Sequence, residues 1–97
     1  MSNIFSIAGE YCTGGYCDFY TGGVSPSDIV LGSFSLTSDS GKEATVNLDA
    51  ATFNINIAVD GQKIGLKGNE FITQGDGSWY IEKDTDSDTF KITITPL

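Results

Sequence analysis

Histidine and arginine are both missing from this chain, and five lysines are its only cationic side chains. Without an imidazole base, Ser–His–Asp and Cys–His catalysis are excluded. With two cysteines and no histidine, a zinc site also runs out of ligands. Thirteen acids against the five lysines give a net charge of −8, which leaves no basic face for a nucleic-acid backbone or an anionic membrane. No apolar run approaches membrane-spanning length and no apolar core of a signal segment precedes the first strand, so the chain is expected to be soluble as it stands. No window keeps apolar residues at i, i+3, i+4 and i+7 for long, and no helix is expected. The Gly-Gly pairs lack the Lys-Ser/Thr of a phosphate loop. Paired carboxylates of the glycosidase kind are all that remains for catalysis, and their use depends on a separation in space. An enzyme is not expected.

What is present speaks of strands. Ninety-seven residues, 39% hydrophobic and 11% aromatic, make a single domain, 1–97, with one modest core. From Thr52 to Leu66 the order is TFNINIAVDGQKIGL. Phe53, Ile55, Ile57 and Val59 alternate with polar or small residues, the period of a strand with one buried face. Asp60-Gly61 then supplies a two-residue turn in which both residues take positive φ. That loop length fixes Val59 opposite Gln62, Ile57 opposite Ile64, and Ile55 opposite Leu66. A slip by one residue would turn Lys63 and Lys67 into the core.

The same reasoning extends along the chain. A first short strand is expected over Asn3–Ala8. Val30, Phe34 and Leu36 share a parity after the turn Ser25-Pro26-Ser27-Asp28, and Ala44, Val46 and Leu48 form the next strand. A three-residue loop, Asp39-Ser40-Gly41, sets Leu36 opposite Ala44 and Phe34 opposite Val46. Beyond Leu66, the residues Lys67-Gly68-Asn69 form a turn and Glu70–Gln74 a short strand. Trp79 and Ile81 head the next strand, and Phe90, Ile92 and Ile94 alternate in the last. A four-residue loop Asp84–Ser87 would set Ile81 against Phe90, Trp79 against Ile92 and Lys83 against Asp88. Seven to nine short strands with frequent turns imply an all-β, hairpin-rich antiparallel meander. It is expected to pack as a β-sandwich or to close as a small barrel.

The segment Glu10–Asp28, EYCTGGYCDFYTGGVSPSD, reads as a Gly/Tyr-rich loop. Cys12 and Cys17 flank TGGY, and a hairpin there would set them at a separation a disulfide spans. Two free thiols or a redox pair are the other readings, although the spacing is not that of a thioredoxin-like pair. A disulfide closing so small a loop contributes roughly 2 kcal/mol in the chain-entropy model. It would also imply an extracellular, periplasmic or surface setting, as against the cytoplasm if both thiols stay free. Tyr11, Tyr16, Phe19 and Tyr20 among these glycines suit either a partner-binding surface or a flap closing one end of the core.

Asp84, Asp86 and Asp88 open like a calcium loop. Thr89 and Thr95, however, stand where an EF-hand needs Gly and Glu, so calcium would need ligands from elsewhere and a solvated turn is the plainer reading. The expected function is a non-enzymatic binding or structural β-domain that faces a protein or carbohydrate surface. It requires no cofactor, no nucleic acid and no membrane insertion. The alternative is a small acidic inhibitor or decoy, intracellular or phage-encoded, of a basic nucleic-acid-binding protein. Against it, most of the acids fall at turns (Asp28, Asp39, Asp49, Asp60, Asp76, Asp84, Asp86) and not in a row on one face.

Overall fold

A computed structural model describes residues 2–85 and 88–97. Among them nine strands form: β1 Phe5–Thr13, β2 Tyr16–Val24, β3 Ser33–Ser38, β4 Glu43–Asp49, β5 Asn54–Val59, β6 Gln62–Leu66, β7 Ile72–Thr73, β8 Trp79–Asp84 and β9 Asp88–Pro96. They join in one antiparallel sheet of order β6-β5-β4-β3-β2-β1-β9-β8-β7. The sheet curls into a half-barrel, so its own curvature covers the apolar face and the second layer of a sandwich is not required.

Strand direction explains the seam. Neighbours alternate in direction, so the first and ninth positions, β6 and β7, run the same way. Parallel neighbours joined by a few residues cannot pair. The chain instead leaves the β6 edge after Leu66 and crosses through a 3-10 turn, Gly68–Glu70. It then resumes as β7 on β8, with Ile72 opposite Tyr80 and Thr73 opposite Trp79. This crossing closes one end of the barrel. At the other end β6 and β8 stay apart.

The central hairpin has the register that its turn dictates. Val59 faces Gln62, Ile57 faces Ile64, and Ile55 faces Leu66, with Asp60 at φ 52° and Gly61 at φ 77°. The β3–β4 loop also forms as its residues require: Gly41 takes φ 86°, and Leu36 and Phe34 oppose Ala44 and Val46. One detail differs. Phe53 belongs to the turn before β5 and not to the strand, with φ 59°.

The segment 10–28 is not a loop. β1 runs on to Thr13 and pairs with β2 along its whole length, from Phe5 opposite Val24 to Thr13 opposite Tyr16. The two Gly-Gly pairs do different work. Gly14 and Gly15 make the hairpin turn at φ 58° and 80°. Gly22 lies inside β2, where any Cβ would collide with the side chain of Leu36 on β3.

A helix also forms where none is expected. α1, Pro26–Leu31, starts at a capping box: Ser25 Oγ accepts from the Asp28 N–H, and the Asp28 carboxylate accepts from the Ser25 N–H. Pro26 suits the first turn because its missing N–H would have no partner there. Ile29 packs on the core, whereas Val30, placed by its parity beside Phe34, is 89% exposed.

The last hairpin pairs two residues out of the expected register. Ile81 faces Ile92, Trp79 faces Ile94, and Lys83 faces Phe90 instead of Asp88. A two-residue shift leaves every side chain on its own face, so burial patterning cannot separate the alternatives. The loop residues Asp86 and Ser87 lie outside the described residues. The expected strand Glu70–Gln74 shrinks to Ile72–Thr73, because the seam crossing occupies the residues before it.

The core lines the concave face from Ile7 on β1 around to Leu66 on β6, with Val46, Ile57 and Ile92 all but inaccessible. Ile57→Ala is expected to cost about 2–5 kcal/mol. Asn56→Ala, on the solvent face of the same strand, should stay within about 0.5 kcal/mol. Urea unfolding of the two variants checks the face assignment.

Candidate functional site: two unlike ends of one barrel

Connections alternate between the ends, so the topology sorts the loops into two sets. The hairpin turns at Gly14-Gly15, at 39–41, at Asp60-Gly61 and after Asp84 share the open end. α1, the β4–β5 turn, the seam crossing and the β7–β8 turn share the closed one.

The open end is polar. Cys12 and Cys17 face one another across the β1–β2 hairpin with Cα atoms 4.0 Å apart and sulfurs at bonding distance. The Glu10 carboxylate lies 3.6 Å from Cys12 Sγ. A bonded sulfur offers no thiolate, so these groups do not make a metal centre. Glu10 instead pairs with Lys91 at 3.9 Å on the neighbouring strand. Tyr11 and Tyr20 are core residues, 4% and 1% exposed, and neither stands at the surface proposed for the segment. Tyr16 and Phe19 are the two left in solvent. Phe19 lies on the convex face beside a shallow recess shared with Glu10, Tyr80 and Lys91.

Carboxylates surround the buried phenols. Tyr11 donates to Asp88 Oδ2 at 2.8 Å. Burial first, and then this bond to Asp88, push its pKa up to about 12. Tyr20 Oη is buried with no hydrogen-bond partner among the described residues, and burial followed by the Asp18 charge raises its pKa as well. Lys42 bridges Asp18 and Asp60 at 3.6 and 3.8 Å. Of the expected calcium ligands, Asp88 serves Tyr11, Asp84 ends β8 opposite Thr89, and Asp86 lies outside the described residues. A small gap of about 60 Å³ opens beside them, between Gln62–Ile64 and Lys83.

The closed end is aromatic. Phe53, Phe71 and Trp79 line a cavity of about 290 Å³ together with Gly68 and Thr73. The Phe53 ring centroid lies 5.9 Å from Phe71 and 6.0 Å from Trp79, with planes inclined at 74° and 59°. Phe5 backs Trp79 at 5.8 Å. Local chemistry sets each ring in place. The Phe53 N–H donates to the Asp49 carbonyl at 2.6 Å, which closes the β4–β5 turn and holds this bulky residue in the left-handed region. A non-glycine residue there carries roughly 1–2 kcal/mol of strain. Gly68 packs flat against that turn, its N–H donating to Asn54 Oδ1 at 2.9 Å. A Cβ on Gly68 would overlap the backbone of Thr52 and Phe53. Trp79 follows a turn knotted by buried Ser78, whose Oγ lies 2.6 Å from Asp76 Oδ1. The bonds from the Ser78 hydroxyl and N–H hold the Asp76 carboxyl below its usual pKa.

This end carries exposed charges at Asp49, Lys67, Glu70 and Asp76 and also most of the exposed large apolar side chains. Of the seven large apolar side chains exposed among the described residues, Ile4, Val30, Leu31, Ile72 and Leu97 are at or near the closed end; only Tyr16 and Phe19 are elsewhere. Exposed apolar side chains gathered in one region mark an interaction site more often than single scattered ones do. Alternation in the sequence places Phe53 in one strand and Phe71 in another, and three aromatics separated by eighteen and eight positions carry no local motif. Comparison with known protein families, with characterised proteins and with solved structures finds no match for this chain.

Two outcomes follow from the two ends. Tyr11 ionises near its ordinary pKa of about 10 in the unfolded chain but higher in the folded one. The unfolded state therefore loses the proton first as pH rises. The Tyr11 contribution to stability is intact below pH ~10 and shrinks as pH climbs toward about 12. Urea midpoints across that window should fall less steeply in Tyr11→Phe. At the aromatic end, Gly68→Ala should destabilise by about 1–3 kcal/mol and shift the Trp79 emission, whereas Gly75→Ala, with open space around it, should do neither.

Proposed function

We propose that this chain is a non-enzymatic β-domain that binds a protein or carbohydrate surface through its aromatic end. The reading rests on one observation: five of the seven large apolar side chains exposed among the described residues fall at the barrel end that holds the half-open cavity of Phe53, Phe71 and Trp79. A barrel end that served only to shut the core would be filled, since protein interiors pack to crystal-like density. The setting is an oxidising compartment, extracellular, periplasmic or cell-surface, and the facing Cys12–Cys17 pair supports it. The decoy alternative gains nothing from the fold. The acids at the open end are interleaved with Lys42, Lys63 and Lys83, and Asp18 and Asp60 are already engaged by Lys42. A mixed-sign end does not present the uniform charge of a phosphate backbone.

Labelled protein spread over arrays of extracellular glycans and peptides should be retained at discrete features. The double variant Leu31→Asp, Ile72→Asp changes only exposed positions and should abolish retention at unchanged melting temperature, while Phe19→Ser should keep it. Retention that follows Phe19 and ignores Leu31 and Ile72 would move the binding surface to the convex face and overturn this assignment.

A further inference from the structure

The aromatic cavity has the makings of a cage for one kind of chemical group. We propose that Phe53, Phe71 and Trp79 hold a quaternary methylammonium, the trimethylammonium head of a choline-type ligand; this rests on the aromatic end being the binding surface. An aromatic ring attracts a cation over its face through its quadrupole, effectively within about 6 Å of the ring centroid, and tryptophan does so best. Phe53 touches both Phe71 and Trp79, with centroids 5.9 and 6.0 Å away, so the three rings form one contiguous aromatic wall along the cavity, against which a cation can lie. The cavity of about 290 Å³ is at the small end of ligand pockets, the size for a compact head group.

The rest of the lining narrows the class. Among the described residues no carboxylate lines the cavity, and Gly68 and Thr73 are all that the lining adds to the three aromatic residues. A primary ammonium needs acceptors for three N–H donors and would be left unsatisfied. A quaternary ammonium donates no hydrogen bond, so this wall suits it. The net charge of −8 draws cations toward the molecule and repels anions. The strained Phe53 fits the same reading: its turn, braced by Gly68, keeps the ring beside an unfilled space and does not let it collapse into the core.

Trp79 is the sole tryptophan, so its fluorescence reports on the cavity directly. Titration with choline chloride, at ionic strength held constant with sodium chloride, should give a saturable change in emission. Its neutral carbon isostere, 3,3-dimethylbutan-1-ol, should bind at least about tenfold more weakly. Phe71→Leu keeps an apolar side chain but removes the ring, and should weaken choline binding about fivefold or more with little change in melting temperature. Tyr16→Ser, exposed at the open end of the barrel, should leave it unchanged. Vesicles of phosphatidylcholine form a further arm. Capture of the protein by them, competed by free choline, places the group on a lipid head, and choline binding without capture places it on a free ligand. Equal affinity for choline and the isostere would overturn the cationic class while leaving the aromatic end as a binding surface. No response of Trp79 to either would overturn the cage and remove the support of the binding surface with it.

Discussion

Antiparallel pairing obliges each strand to reverse its neighbour, and with nine strands in the sheet the two outermost point the same way. Everything distinctive about the molecule follows from how the chain meets that constraint. β6 cannot pair with β7 across the gap, so the polypeptide climbs from one edge to the other through Gly68–Glu70. The crossing covers one mouth of the barrel and leaves the other uncovered. It also delivers Phe71 to Phe53 and Trp79, two aromatics that belong to different hairpins, and so assembles the cavity from parts distant in the chain.

The two mouths then differ in how they satisfy what they bury. Where the sheet stays parted, the hydroxyl of Tyr11 finds Asp88, whereas that of Tyr20 is buried without a hydrogen-bond partner among the described residues. Burying the Tyr11 phenol there is tolerable because its one polar atom is satisfied. Where the crossing shuts the sheet, no ionisable group lines the space and rings do the covering. An unpaired charge at that end would lack the compensation that Lys42 gives Asp18 and Asp60 at the other.

Local chemistry was legible in the sequence, and long-range assembly was not. Asp60-Gly61 and Asp39-Ser40-Gly41 named their turns, and each turn fixed a register that the structure keeps. The Cys12–Cys17 juxtaposition likewise came from counting residues across a turn. Misreadings arose where two signals conflicted or none existed. Ser25-Pro26-Ser27-Asp28 reads as a turn in the sequence, and the helix it caps escapes notice because six residues are too few to show helical periodicity. The tyrosines of the first hairpin looked like loop residues because glycines surround them. Yet Gly22 is a strand residue whose missing side chain admits Leu36. Registers two residues apart in the last hairpin bury the same face, so alternation alone does not distinguish them. The seam crossing had no sequence signature at all, since it answers to the parity of a sheet whose strand count is not local information.

Phe53 joins the fold to the use proposed for it. A left-handed conformation would be relieved by glycine, and full burial would stabilise a phenylalanine by about 1.5–3 kcal/mol. This residue has the first disadvantage and only part of the second benefit, because its ring is half-exposed. Optimising the turn alone would replace the residue, and optimising the core alone would close the cavity over it. The arrangement makes sense when the ring is counted as a wall instead of a plug. The strain is then part of what keeps this ring at the cavity wall, in a molecule whose stability is drawn mainly from the alternating isoleucines, valines and leucines of the concave face.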